Sequence, residues 1–277
     1  MRNLIFFFLC FLILPGSFIF SQDADLKELA KGKNFIETKT YSQKEDEEIL
    51  ELFNGLRVAD VSDGMDIAGL PGTGLVNTAI QPVWRDLKDL SHHICGIAIT
   101  VRYVPTQKSD RPKPGEDFNE WQGNFYDKYS SETFTKLIRP GTIIAIDDAE
   151  EKDIGSIGSY NILAWHKAGA VGVVTDACSR DNDEIEIEKV PLYALKKGRG
   201  IRPGRNELES VNRPIVIGGV LVCPGDVIIA DGDGVIVVPR SVAKQVAKYA
   251  REILIDDKAG RKELYDSLKM PLDKTVK

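Results

Sequence analysis

The sequence predicts an α/β domain built on buried strands, and three observations carry that expectation. From Cys95 onward the chain falls into short Ile- and Val-rich runs bounded by Gly, Pro or Asp: CGIAITVRYV, TIIAID, AVGVVTD, RPIVIGGVLV, DVIIAD and GVIVVP. Between two of them, Gly158 to Gly169 places Ile162, Leu163, Trp165 and His166 at helical spacing and ends on a glycine. A length of 277 residues with 43% hydrophobic and 28% charged side chains supplies one core of ordinary size.

Along the chain, Met1-Arg2-Asn3 and the apolar stretch LIFFFLCFLILPGSFIF read as a secretory signal peptide over residues 1–21, with an uncleaved membrane anchor as the alternative. The expected location is therefore outside the cytoplasm, periplasmic or secreted. Residues 22–46 are charged and read as a linker or surface arm, 47–258 as the folded domain, and 259–277 as a C-terminal tail. Ile49, Leu50, Leu52, Phe53 and Leu56 lie mostly at helical spacing within Glu47 to Arg57, and a second short helix is expected over Val58 to Asp63. Residues 105–132 form a long polar and aromatic excursion containing Trp121, Phe125, Tyr126 and Tyr129, either a lid or oligomer contact or a plain surface loop. A last amphipathic helix is expected over Ser241 to Leu254.

Several function classes drop out. A formal net charge of -6 disfavours nucleic acid as a partner, because phosphate binding needs a basic face. Neither a phosphate loop with Lys-Ser or Lys-Thr nor a dinucleotide glycine pattern occurs. Cys95, Cys178 and Cys223 are scattered, and His92, His93 and His166 show no ligand spacing with them. Asp231-Gly232-Asp233-Gly234 lacks the further ligands of a calcium loop and reads as a tight hairpin turn.

Two segments retain chemistry. Gly155 to Asn161 leads into a helix whose first amides favour an anion; the plainer reading is a glycine turn with Ser159 as N-cap. At the end of AVGVVT the chain enters Asp176-Ala177-Cys178-Ser179-Arg180-Asp181-Asn182-Asp183-Glu184, where ligands of α/β sheets gather. Arg180 offers a planar fork for a carboxylate and Asp181 a hard oxygen for a cation, while a solvated turn is the alternative.

Taken in order, Val58 to Asp63, Gly96 to Val101, Pro140-Gly141-Thr142, Gly169 to Asp176, Arg180-Asp181, Gly218-Gly219-Val220, Pro224-Gly225-Asp226 and Asp231 to Val235 resemble the RraA-like family. That family includes 4-hydroxy-4-methyl-2-oxoglutarate aldolases and the regulator of ribonuclease E activity. The resemblance spans roughly residues 47 to 250 and implies a layered β/β/α swivelling fold, assembled as a homotrimer or a dimer of trimers. It makes Gly158, Ser159, Tyr160 and Asn161 the substrate loop, Arg180 the substrate-binding catalytic arginine and Asp181 the ligand of Mg²⁺ or Mn²⁺. Family aldolases carry an acidic residue where this chain has Ser159. The expected activity is a divalent-metal-dependent lyase acting on a small 2-oxo acid, by aldol cleavage or oxaloacetate decarboxylation; the alternative is a non-catalytic binding or regulatory protein.

Overall fold

The computed structural model describes residues 26–108, 111–148 and 153–277, so the leader expected over residues 1–21 lies outside the described residues. The chain divides into two units, Met1–Glu37 and Thr38–Lys277. Within the first, α1 (Leu26–Lys31) buries none of its side chains.

The second unit begins with α2 (Gln43–Phe53), α3 (Val58–Ile67), β1 (Gln81–Pro82), β2 (Ile94–Pro105) and α4 (Phe118–Tyr129). After a 3-10 turn come β3 (Thr142–Asp147), β4 (Gly155–Ile157), α5 (Ser159–Ala168), β5 (Ala170–Ser179) and α6 (Asn182–Glu188). The chain continues through β6 (Leu192–Lys197), β7 (Asn206–Val211), β8 (Ile215–Ile217), β9 (Val220–Val222), β10 (Val227–Asp231), β11 (Gly234–Val238) and α7 (Ala243–Ser267).

Among the described residues, nine strands form one sheet in the order β1-β6-β5-β3-β2-β10-β11, with β4 beside β5 and β7 beside β2. The pairs β2–β3, β3–β5, β4–β5 and β5–β6 are parallel, so the carboxyl ends of these strands share one edge. At the other extreme, β11 meets the segment leading to β1: Leu75 bridges Ile236, and Val76 N–H donates to Val235 O at 3.2 Å. The sheet thereby curls into a nearly closed barrel. Only glycine fits at this seam, since Gly74 has φ +82° and a Cβ there would lie 2.0 Å from Val237 O.

Three apolar clusters fill the layers. Ile80, Ala98, Ile143, Tyr193, Ile228 and Val237 pack inside the curled sheet, beneath the β8–β9 hairpin. Helices α2, α3 and α7 cover β10 and β11 through Phe53, Val61, Met65, Val246 and Leu254. Helices α5 and α6 cover β5 through Ile162, Trp165 and Ile185. With both faces covered, β10 and β11 are buried at every residue, which is why their sequences run apolar rather than alternating. Helices α3 and α7 approach closely at Gly64, where a Cβ would fall 2.8 Å from Val246 O.

The structure corrects several sequence expectations. RPIVIGGVLV is two strands, because Gly218 and Gly219 both adopt positive φ and turn the chain into the β8–β9 hairpin. The helix expected over Val58 to Asp63 extends to Ile67, and the last helix continues past Leu254 to Ser267. The acidic segment after Asp181 is helical, not a turn: Asn182–Glu188 forms α6, anchored by buried Ile185. The excursion 105–132 contains α4, capped by Asp117, whose carboxylate accepts from the N–H groups of Asn119 and Glu120. The Asp231 to Gly234 segment is the expected tight turn, joining β10 to β11, with the Asp231 carboxylate accepting from Val58 N–H and Asp233 N–H.

The start of α2 is held by charge. A capping box joins Ser42 and Glu45, and the neighbouring Asp46, 3% exposed, accepts from Arg139 and from Arg240 Nη1 at 2.7 Å. Asp46→Ala leaves both guanidiniums without their shared anion and is expected to cost about 3 kcal/mol in urea unfolding. Lys44→Ala, at an exposed position, should stay within about 0.5 kcal/mol. A loss below about 1 kcal/mol for Asp46→Ala would mean that water replaces the anion at little cost.

Candidate active site

Strand β5 sets the site. It runs to Ser179, three residues beyond the Asp176 at which the apolar run ends, because β4 pairs with its last turn of ladder after β3 has ended. At the exit, Arg180 N–H donates to Ile157 O at 2.8 Å, and this bond ties the end of β4 to the start of the loop. Arg180 then lies along a glycine track. A Cβ at Gly155 would sit 2.6 Å from Arg180 Cβ, and one at Gly158 would sit 2.8 Å from Asp181 Oδ2 and 3.3 Å from Arg180 Nε. The glycines are needed here for close approach.

Asp181 adopts the left-handed conformation, φ 56° and ψ 40°, at the N-cap position of α6. Asp tolerates this region better than most side chains, and such conformations concentrate at functional sites. Its carboxylate does not cap α6. Instead Oδ2 accepts from Ser159 N–H at 3.3 Å and lies 3.6 Å from Arg180 Nε, while Oδ1 accepts no hydrogen bond from the described residues. Asp181 therefore supplies the negative charge that the first turn of α5 favours. The two side chains are 36% and 38% exposed, which leaves the pair open to solvent and to a ligand.

The expected loop residues divide in role. Gly158, rather than Ser159, is the N-cap of α5; Ser159 is the first helical residue, and its N–H is the group that meets Asp181. Tyr160 projects into solvent, 84% exposed. The Asn161 amide is turned away from the opening and donates to Glu132. The structure thus brings Gly158, Ser159, Arg180 and Asp181 together and assigns the Asn161 side chain to a supporting bond.

That bond belongs to a network with no signature in the sequence. Glu132 also accepts from Trp165 Nε1 at 3.1 Å and pairs with Arg202, which is 2% exposed. Arg202 donates to the Tyr103 hydroxyl and stacks 4.6 Å from that ring and 5.7 Å from the Tyr126 ring. Burial pushes the Tyr126 phenol above its ordinary range, while Arg202 and Arg180 both act against the rise, so this side chain of α4 stands within electrostatic reach of the Arg180 site. Arg202 is the middle of an Arg199-Arg202-Arg205 spacing, but nothing in the spacing says which arginine turns inward.

Below the opening, the buried Asp148 accepts from Ser156 Oγ and from Asn206 Nδ2 at 2.8 and 3.0 Å, joining the end of β3 to β4 and β7. Asp148 N–H donates to Asp176 Oδ1 at 3.1 Å. Among the described residues, no group of three or more His, Cys, Asp or Glu side chains converges as a ligand set for a metal.

A parallel-stranded α/β domain with an arginine–aspartate pair at the carboxyl edge of its central strand falls in the class that presents ligand sites at strand ends. More narrowly, the chain belongs to the RraA-like family: the family model described as Aldolase/RraA matches residues 58–237. Protein DlpA of Legionella pneumophila is 27% identical over 216 residues, 77% of this chain and 30% of that protein. A Halalkalibacterium halodurans protein provisionally named 4-hydroxy-4-methyl-2-oxoglutarate aldolase is 28% identical over 130 residues, 47% of this chain and 61% of its own length. The chain thus spans less than two thirds of both relatives. In fold it is similar to Streptomyces coelicolor RraAS2, with TM-score 0.64, 19% identity and coverage of 79% of this chain and 98% of that one.

Asp176 gives the site a measurable pH signature. Burial, opposed by the Asp148 N–H and reinforced by the charge of Asp147, pushes its carboxyl up to about 6 from 3.8. The folded state therefore holds this proton more tightly than the unfolded chain, and wild-type stability falls as pH rises from about 4 to 6. Asp176→Asn keeps an acceptor for Asp148 N–H without the charge. The variant should match wild type near pH 4 and exceed it by about 2–3 kcal/mol above pH 7 in urea unfolding. A difference that does not change with pH would refute the assignment.

Proposed function

We propose that this protein is a carbon–carbon lyase acting on a small 2-oxo acid, by oxaloacetate decarboxylation or by cleavage of 4-hydroxy-4-methyl-2-oxoglutarate. The observation that carries the reading is the Arg180–Asp181 pair, half exposed at the end of β5 and facing the first turn of α5. Relatives named as 4-hydroxy-4-methyl-2-oxoglutarate aldolases support it. In this reading Arg180 holds the substrate carboxylate through its guanidinium fork, beside the Tyr160 and Asn161 amides. Fixing the carboxylate keeps the breaking bond aligned with the 2-oxo group, which takes up its electron pair.

Asp181 suits a hard divalent cation, Mg²⁺ or Mn²⁺: Oδ1 accepts no hydrogen bond from the described residues and the side chain is open to solvent. Such a cation keeps most of its waters and needs only one or two carboxylates. When bound it supplies positive charge near the oxygen that becomes negative as the bond breaks. The reading carries with it assembly as a homotrimer or dimer of trimers and export of a mature chain beginning near Gln22. The non-catalytic alternative draws on Ser159, which stands where family aldolases carry an acid.

Pyruvate release from both substrates, with and without added Mg²⁺ or Mn²⁺, tests the reading. Asp181→Ala should reduce the metal-dependent rate about a hundredfold. Arg180→Lys, which keeps charge and loses the fork, should raise KM about tenfold. Full activity in excess chelator counts against the metal, and no turnover of either substrate favours the binding-protein alternative.

Ser159 separates the two reactions. Aldol cleavage must remove the proton of the 4-hydroxyl as the bond breaks, whereas decarboxylation releases carbon dioxide with no such proton to take. A serine hydroxyl is a poor base at neutral pH, so decarboxylation should be the faster reaction of the natural protein. Ser159→Asp should raise cleavage about a hundredfold and leave decarboxylation unchanged. Equal effects on both reactions would remove Ser159 from the proton transfer.

A further inference from the structure

A second cleft of about 630 Å³ opens beneath the N-terminal half of α4, against the loop that follows β6. Among the described residues its charged lining is Arg111, Arg199 and Arg205, with no Asp or Glu, in a chain whose net charge is -6. The three arginines are not equivalent. Arg199 pairs with Asp153, and Arg111 donates to Lys108 O and Gly204 O. Arg205, exposed at the rim, makes one side-chain bond, to Ile201 O at 2.8 Å, and has no carboxylate within ion-pair distance among the described residues.

The walls are aromatic. Phe118, 48% exposed, leans on Trp121 with ring centroids 5.5 Å apart. The Trp121 Nε1 donor is buried and has no acceptor among the described residues. Trp121 and Tyr126 are five residues apart on α4, about 7.5 Å along the helix, and neither Arg180 nor Asp181 lines this cleft. A flat ring against this aromatic face, with an anionic group on a guanidinium, matches these features.

We propose that the cleft beneath α4 is a binding site for a small aromatic carboxylate, with Arg205 receiving the carboxylate and Phe118 and Trp121 packing on the ring. The site is separate from the Arg180–Asp181 pair and stands whether or not that pair is catalytic.

Isothermal titration of the purified protein with 2-naphthoate tests this, with 2-naphthol as the uncharged ring and acetate as the ringless anion. Wild type should bind 2-naphthoate at least tenfold more tightly than either comparison compound. Arg205→Gln, at an exposed position that the fold does not need, should weaken 2-naphthoate tenfold or more and leave 2-naphthol unchanged. Trp121→Phe keeps a smaller ring for the ligand to pack on, and should weaken 2-naphthoate severalfold. Arg180→Ala should have no effect. Equal affinity for 2-naphthol, insensitivity to Arg205→Gln, loss of binding in Arg180→Ala, or no binding at millimolar 2-naphthoate would each overturn the proposal.

Discussion

The rest of the structure depends on the parallel pairing of β5. This strand is hydrogen-bonded to β3 and β6 along its first half and to β4 and β6 along its second. A parallel strand held on both sides cannot slip without losing both ladders, so the residue at which it ends is fixed in space. That residue is Ser179, and Arg180 follows it directly. The Arg180 N–H is held by Ile157 O, and Asp181 follows in a left-handed conformation that turns its carboxylate back onto α5. Because β4 leads through Gly158 into α5, the same pairing also fixes the start of that helix. Strand end, loop and helix start are one unit.

Around this unit the protein uses charge in two ways. Arg202 with Glu132, and Asp148 with Ser156 and Asn206, are buried groups with several partners each, and they join segments far apart in sequence. Removing any partner would leave a desolvated charge, so these groups act as fixed supports. Arg180 and Asp181 are different. At 3.6 Å and more than a third exposed, they are weakly coupled and open to solvent, and a ligand can compete for either group at little cost. The supports hold the backbone so that the open pair stays in place.

Helix α4 links the two regions of interest. Phe125 anchors it in the interior, Tyr126 lies against Arg202, and Trp121 and Phe118 face the neighbouring cleft. Glu132, just beyond its end, reaches Asn161 and Trp165 of α5. An excursion whose sequence left open a lid or oligomer contact or a plain surface loop therefore includes part of the support for the site. Similarity in fold to RraAS2 at 19% identity shows how far side chains diverge while the fold is kept. The chemistry at Ser159 and the lining of the α4 cleft are features of this chain's own residues.

The sequence by itself determined the buried strands, α5 and the β10–β11 turn, because covered strands must be apolar along their whole length and turns need Gly, Asp or Pro. It also marked Arg180-Asp181 as a position at a strand end. Local pattern could not decide where β5 stops, because its last residues, Ala177-Cys178-Ser179, are not strongly apolar and are held in the sheet by β4. Nor could it show that RPIVIGGVLV folds back on itself, since two adjacent glycines permit a turn without requiring one. The network of Tyr103, Glu132, Asn161 and Arg202 was beyond reach for the same kind of reason. Its members lie up to 99 residues apart, and a polar side chain in a sequence carries no sign of whether it will be buried. Only the packing of α4 and the loop after β6 against the edge of the sheet removes water from Arg202, and that loss of water makes its partners necessary.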